Sequence, residues 1–311
     1  MAHITDRLHN AKWGVFTHYL NGIQNNPGNP NNQGVGATSW DECVHALDVQ
    51  KLARSLHECG AHYYFITVMQ GGETMIAPNA TFDRIAGTKP GQACSTRDLV
   101  LDLYEALTPY GIDLYLYYTG DGPYANDAIG RKFGFFEPRD VGVTMPFVQK
   151  WASVLEEYAV RYGDKVKGWW IDGCYENEFH YTNELMKPYY DAVKKGNPDA
   201  VVAFNNGVQP YYEKYYENED FVCGEFSDFF VVPRSRFIGG AQAFLLAPLG
   251  IDPTSEWHGW GKSGVKRDSE YLRRFISCCN AVGGVVTVDV ALHRDGSFDE
   301  AQLKTLAGIG I

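Results

Sequence analysis

Short apolar runs alternate along this chain with longer stretches whose apolar residues recur at helical spacing. The first run, residues 12–20 (KWGVFTHYL), reads as a strand. Residues 48–60 place Val49, Leu52, Ala53 and Leu56 on one face and end in a glycine, as helices prefer. A second strand is predicted at 62–68 (HYYFITV). Thr96 then caps a helix with Val100, Leu103, Tyr104 and Leu107 on one stripe, and 113–120 (DLYLYYTG) is the third strand. Pro146 opens a long helix that turns Phe147, Trp151, Val154, Leu155 and Tyr158 inward. The remaining strands are predicted at 167–173 (KGWWIDG), 200–206 (AVVAFNN), 220–226 (DFVCGEF), 241–249 (AQAFLLAPL) and 284–291 (GVVTVDVA). Helices fall at 183–197, at 268–282 and from Asp299 to the end.

Repeated βα units predict a parallel sheet, and about eight of them predict an α/β fold of the closed (β/α)8 TIM-like barrel type. A doubly wound sheet would carry a phosphate loop, and none is visible. The Gly261–Ser263 tripeptide has Glu256 where a phosphate loop needs its first glycine. There is no G-x-S-x-G and no zinc-binding His-Glu-x-x-His. With no repeat and no linker, the expectation is one domain over residues 1–311. Residues 21–40 (NGIQNNPGNPNNQGVGATSW) lack periodicity and read as a long βα loop at the strands' C-terminal ends.

Composition narrows the functional classes. The 311 residues are 45% hydrophobic, enough for a full core. A net charge of -11 without Lys/Arg clusters argues against nucleic acid and anionic membrane as partners. The 14% aromatic content suits a core and also the apolar faces of sugar rings. Seven cysteines, an odd number with no Cys-x-x-Cys, read mostly as reduced and buried thiols. The N-terminal MAHITDRLHN has no apolar export core, which leaves localisation open. Oligomeric state is equally open.

In a barrel, chemistry sits where strands end. Those positions are His18, Gln70, Tyr118, Asp172, Asn205, Asn206, Glu225 and Asp289. Asp172-Gly173 is also a common turn pair. Asp172 and Glu225, on different strands, are of a kind that can flank a glycosidic bond. A retaining pair stands roughly 5 to 5.5 Å apart and an inverting pair roughly 6.5 to 9.5 Å.

Six segments, in order, resemble the barrel of the family 29 α-L-fucosidases. KWGVFTHYL is similar to K-F-G-I-F-I-H-W-G, LARSLHECGAHYYFITV to A-K-L-A-K-E-A-G-A-K-Y-V-V-L-T, and GIDLYLYYT to G-L-K-F-G-L-Y-Y-S. WWIDG resembles the nucleophile motif W-F-D-G, EDFVCGEF the acid/base segment, and VGGVVTVDVALHRDGSF the last strand and loop. The resemblance implies Asp172 as nucleophile and Glu225 as acid/base, with Glu176 and Glu178 as rivals for the latter. It implies His18 as a sugar contact and Tyr118 as a tyrosine near the nucleophile. The β-sandwich that often follows the family's barrel has no counterpart in these residues.

Two grips on the sugar differ. The family's K-H-H-D-G-F is VMQGGETM here, with Gln70 and Gly71 in place of the histidines. Its N-D-R-W-G is FNNGVQ, with Gly207 in place of arginine. A site built to bond particular hydroxyls loses discrimination when those donors go. Gln70, Asn205 and Asn206 are placed to bond other hydroxyls, and Trp257 and Trp260 to stack on a ring. The resemblance therefore implies a retaining exo-glycosidase acting by double displacement on a carbohydrate substrate, with no cofactor or metal, and with a sugar other than plain fucose. The alternatives are a carbohydrate-binding barrel without turnover, or a transglycosylase or other sugar-active enzyme on the same scaffold.

Overall fold

The structure is a computed structural model that describes residues 3–135, 142–255 and 258–311. The apolar runs pair into one sheet of seven parallel strands. These are β1 (Trp13–Thr17), β2 (Tyr63–Thr67), β3 (Asp113–Thr119), β4 (Val166–Asp172), β5 (Val201–Phe204), β8 (Phe244–Pro248) and β9 (Val285–Asp289). β6 (Phe237–Ile238) and β7 (Ala241–Gln242) form a small antiparallel hairpin. The stretch expected to be one seventh strand is thus divided between β7 and β8. The sheet order is β5-β4-β3-β2-β1-β9-β8. Strands covered on both faces read as continuous apolar runs, which is why these segments lacked alternation.

The two faces differ in chemistry. The inner face carries Phe16, Tyr63, Phe65, Tyr115, Tyr117, Trp170 and Phe244. The outer face sets Val15, Tyr64, Ile66, Leu116, Tyr118, Trp169 and Ile171 against the helices. β2 and β8 are three strands apart in the sheet, about 14 Å if it were flat. The rings of Phe65 and Phe244 nevertheless lie 5.9 Å apart, so the sheet curls around its aromatic interior.

Residues 220–226, expected as a strand, are irregular. The Phe226 and Val222 amides donate to Leu246 and Gln242, which ties this segment to the β7–β8 side. Toward β5 the backbone link is the Asp220 amide to the Val202 carbonyl, 2.9 Å. Gly224 breaks the extended run with φ 58°, and a Cβ there would strike the Phe244 carbonyl. A seven-stranded curled sheet with an irregular segment along its seam therefore replaces the regular eight-stranded barrel.

Helices form where the apolar stripes lay: Val49–Glu58, Leu99–Leu107, Met145–Tyr162, Asn183–Gly196, Ser269–Ala281 and Glu300–Ala307. One cap differs from expectation. Asp98, not Thr96, accepts from the Leu101 amide and caps Leu99–Leu107. The Thr96 hydroxyl instead donates to Asp41.

The loop over 21–40 is built rather than loose. It contains the turns Asn21–Gln24 and Pro30–Asn32, and Gln24, Asn25, Asn31 and Asn32 are buried. The buried Arg294 fastens it, donating to Asn25 Oδ1, the Gly36 carbonyl and Thr38 Oγ1. Replacing Arg294 with alanine removes these three bonds, while Asn25 Oδ1 keeps the Thr38 amide and the Gly36 carbonyl keeps Asn32 Nδ2. Arg294→Ala is expected to lower stability by ~3 kcal/mol, read as a lower urea midpoint at unchanged slope.

Candidate active site

The C-terminal ends of the strands converge on a cavity of about 200 Å3. Phe16, His18, Ile23, Gln70, Tyr117, Trp170, Asp172, Tyr175, Glu225, Leu246 and Trp260 line it. Asp172 ends β4 and is buried, 8% exposed. The next residue, Gly173, takes φ 68°, and a Cβ on it would meet the Asp121 carboxylate at 2.7 Å. The Asp-Gly pair ends the strand in a left-handed glycine and mounts a cavity carboxylate.

Donors surround Asp172. Tyr117 Oη donates to Oδ2 at 2.5 Å, Tyr175 Oη to Oδ1 at 3.1 Å, and Asn205 Nδ2 to Oδ1 at 2.7 Å. The same Asn205 nitrogen donates to Glu225 Oε2 at 2.5 Å. The two carboxylate oxygens are thus no farther apart than those two bonds laid end to end, about 5.2 Å. Cys223 Sγ and the Gly207 amide both donate to Asn205 Oδ1, at 2.8 and 2.9 Å, which fixes the amide's orientation.

Glu225 differs from its partner in surroundings. Burial first, and then the charge of Asp172, push its carboxyl up to about 8, while the Asn205 hydrogen bond pulls the other way. Glu219 is pushed as high by burial, to about 8. It accepts from the Tyr215 and Phe204 amides and does not line this cavity. Glu225 differs from Glu219 in lining the cavity beside a second carboxylate. Glu176 and Glu178 are exposed on the short helix Glu176–Phe179 and do not line the cavity.

On the opposite wall, His18 Nδ1 lies 2.9 Å from Asp289 Oδ1. The Gly261 amide donates to Asp289 Oδ2 at 2.7 Å. Asp289 is fully buried, and burial raises its carboxyl while His18 opposes the rise. With Nδ1 occupied, His18 turns Nε2 to the cavity. Trp260 stands edge-on to His18, ring centroids 6.1 Å apart.

The expected site residues separate into groups. Asp172, Glu225, His18, Gln70 and Trp260 line the cavity. Asn205 lies between the carboxylates, its amide spent on them rather than free for a hydroxyl. Asn206 faces an adjacent crevice and accepts from the Glu176 amide. Trp257 lies outside the described residues. Tyr118 is a correction. It points to the outer face, donates to the Trp151 carbonyl at 3.2 Å and stacks on that ring. The register explains the exchange: Tyr117 pairs with Trp170 and Thr119 with Asp172, so Tyr117 shares the face of Asp172. Strand alternation signalled this; the presence of tyrosines at 115, 117 and 118 hid it. Tyr117 and Tyr175 were missed as parts of the site, and Asp289, read as a strand end, was given no role there. Among the described residues, no group of three or more His, Cys, Asp or Glu side chains could hold a metal.

No family model and no curated relative matches this sequence. Solved structures do. An α-L-fucosidase of family 29 from Bacteroides thetaiotaomicron is similar over 100% of this chain and 73% of its own, at 18% identity and TM-score 0.67. The chain shares its fold with family 29 α-L-fucosidases. It shares it equally with family 107: the endo-fucoidan hydrolase MfFcnA9 matches 98% of this chain and 62% of its own, at 14% identity and TM-score 0.72. A fucosyltransferase mutant of the α-L-fucosidase AlfC matches 99% and 97%, at 15% identity and TM-score 0.66. The chain spans 53% and 62% of two endo-fucoidan hydrolases it matches.

The two neighbouring tyrosines give a direct test of this geometry. Tyr117→Phe removes a donor from Asp172 and is expected to lower kcat/KM about tenfold or more. Tyr118→Phe is expected to leave turnover within about twofold and to cost ~1 kcal/mol of stability.

Proposed function

We propose that the protein is a retaining exo-glycoside hydrolase that removes a terminal sugar related to fucose. The observation that carries this reading is one amide nitrogen bonded to two carboxylates, whose bonded oxygens it holds within about 5.2 Å. Carboxylates sharing one donor sit close, which favours a retaining pair, roughly 5 to 5.5 Å apart, over the wider inverting pair. Asp172 attacks the anomeric carbon. Glu225, which keeps its proton through neutral pH, delivers it to the departing oxygen. Water then cleaves the glycosyl ester, with Glu225 now taking the proton.

Tyr117, Tyr175 and Asn205 hold Asp172 in place. His18, Gln70 and Trp260 are the sugar's contacts in this reading. The shared fold with fucose-active hydrolases supports the substrate class. The altered strand ends at Gln70 and Gly207 argue for a sugar other than unmodified fucose.

The reading is tested by a panel of aryl glycosides: α-L-fucoside, α-L-rhamnoside, α-L-arabinoside, α- and β-galactosides and xylosides. One member is expected to be cleaved with net retention, and Asp172→Ala to lower its kcat/KM by roughly a thousandfold or more. Silence across the panel together with binding of the sugars by calorimetry would instead establish a carbohydrate-binding barrel. The pH dependence follows from Glu225. Its raised carboxyl must be protonated for cleavage, so kcat/KM is expected to fall as pH rises through about 8. Glu225→Gln is expected to remove that limb and to cost about a hundredfold on poor leaving groups.

A further inference from the structure

We propose that Trp170 is a positioning residue for the proton donor, acting through its indole N–H rather than through its ring face. The inference rests on the reading of Glu225 as that donor. Trp170 stands two residues before Asp172 on β4, and side chains two apart on a strand share a face. Its Nε1 donates at 3.0 Å to the carbonyl of Cys223, two residues before Glu225. The bond therefore ties the strand that mounts one carboxylate to the segment that mounts the other. Trp170 is 3% exposed, and a buried indole N–H takes a protein partner.

The segment that carries Glu225 needs such a tie. Residues 220–226 are irregular, and the backbone bonds of Val222, Gly224 and Phe226 run to the β7–β8 side. Those bonds hold the segment without setting its distance from β4. The Glu225 carbonyl accepts from the Gln209 amide, which lies in the loop after β5 rather than on a strand. The Asn205 side chain crosses from the end of β5, but it bonds the Glu225 carboxyl itself. Such a bond is stronger to a charged carboxylate than to a protonated one. Double displacement changes the charge of Glu225 twice, so the Asn205 bond changes strength at each step. The Cys223 carbonyl does not titrate, and the Trp170 bond holds through both. Tyr117 stacks on the indole, ring centroids 5.4 Å apart, and Phe16 stands edge-on at 6.4 Å, which leaves the ring little freedom to turn.

The experiment compares kcat/KM on two aryl glycosides of one sugar. The phenyl glycoside has a poor leaving group that needs the proton, and the 2-chloro-4-nitrophenyl glycoside a good one that needs it little. The probes are the α-L-fucosides, or their counterparts for the sugar the aryl panel identifies. Trp170→Phe is expected to lower kcat/KM about tenfold more on the phenyl than on the 2-chloro-4-nitrophenyl glycoside. Any loss of the floor beneath the sugar, or of support for Asp172 through Tyr117, lowers both alike and cancels in that ratio. A second variant carries benzothienylalanine at position 170, which keeps the fused ring and puts sulfur where the N–H stands, and the same change in ratio is expected of it. In the Glu225→Gln background, Trp170→Phe is expected to leave the ratio unchanged, because the group it positions is gone. An equal loss on both glycosides, a normal ratio in the sulfur variant, or a changed ratio that persists in Glu225→Gln overturns the inference and leaves the glycosidase reading intact. No turnover of either glycoside by the parent, for any sugar of the panel, overturns the glycosidase reading and this inference with it.

Discussion

The site depends on one shared hydrogen-bond donor, the Asn205 amide. An amide nitrogen carries two hydrogens, and here one goes to each carboxylate. Two carboxylates at this distance repel if both are charged. The amide reduces the conflict without abolishing it, because it supplies no net charge. The remaining conflict falls on Glu225, whose carboxyl is raised by desolvation and by the charge of Asp172. A lysine in place of Asn205 would favour ionisation of both acids. The neutral bridge lets the two differ in charge, as the proposed mechanism requires of a nucleophile and an acid.

That bridge needs three chain segments to meet. The Asn205 backbone N–H donates to the Ile171 carbonyl, which fixes the end of β5 beside the end of β4. Cys223 and Gly207 fix the far side of the Asn205 side chain. Trp170 donates from Nε1 to the Cys223 carbonyl, so the aromatic floor also holds the irregular segment in position. That floor, stacked from Tyr117, Trp170, Phe16 and Phe65, has little to offer water. A dry floor strengthens each polar contact above it and raises the cost of a second charge. The high aromatic content thus serves folding and proton affinity together.

Much of this was legible in the sequence. The strand ends were right for His18, Asp172 and Asp289 because apolar runs bounded by turn residues mark strand limits. Pairing register was not legible, and it decides whether Tyr117 or Tyr118 faces the nucleophile. Residues 220–226 carry strand-like apolar content, but one left-handed glycine and a single backbone link toward β5 keep them irregular. Local composition does not encode the carbonyl that Gly224 must clear. Asn205 was visible as a polar strand end, yet its role depends on two carboxylates distant in sequence. Tyr175 and the Arg294 clamp were invisible for the same reason.

The His18 wall of the cavity is built on different supports from the carboxylates. His18 is held by Asp289, Asp289 by the Gly261 amide, and the Gly261 carbonyl by Asn31 Nδ2 in the 21–40 loop. Gln24, from the same loop, donates to the His18 carbonyl. Asp172, Glu225 and Asn205 hang on β4, β5 and the seam segment, and none of their hydrogen bonds described above reaches that loop. Changes in the loop can therefore move His18 and Ile23 while the carboxylate pair keeps its spacing. Such a division of supports allows one fold to keep its carboxylate pair while the facing wall of the cavity changes.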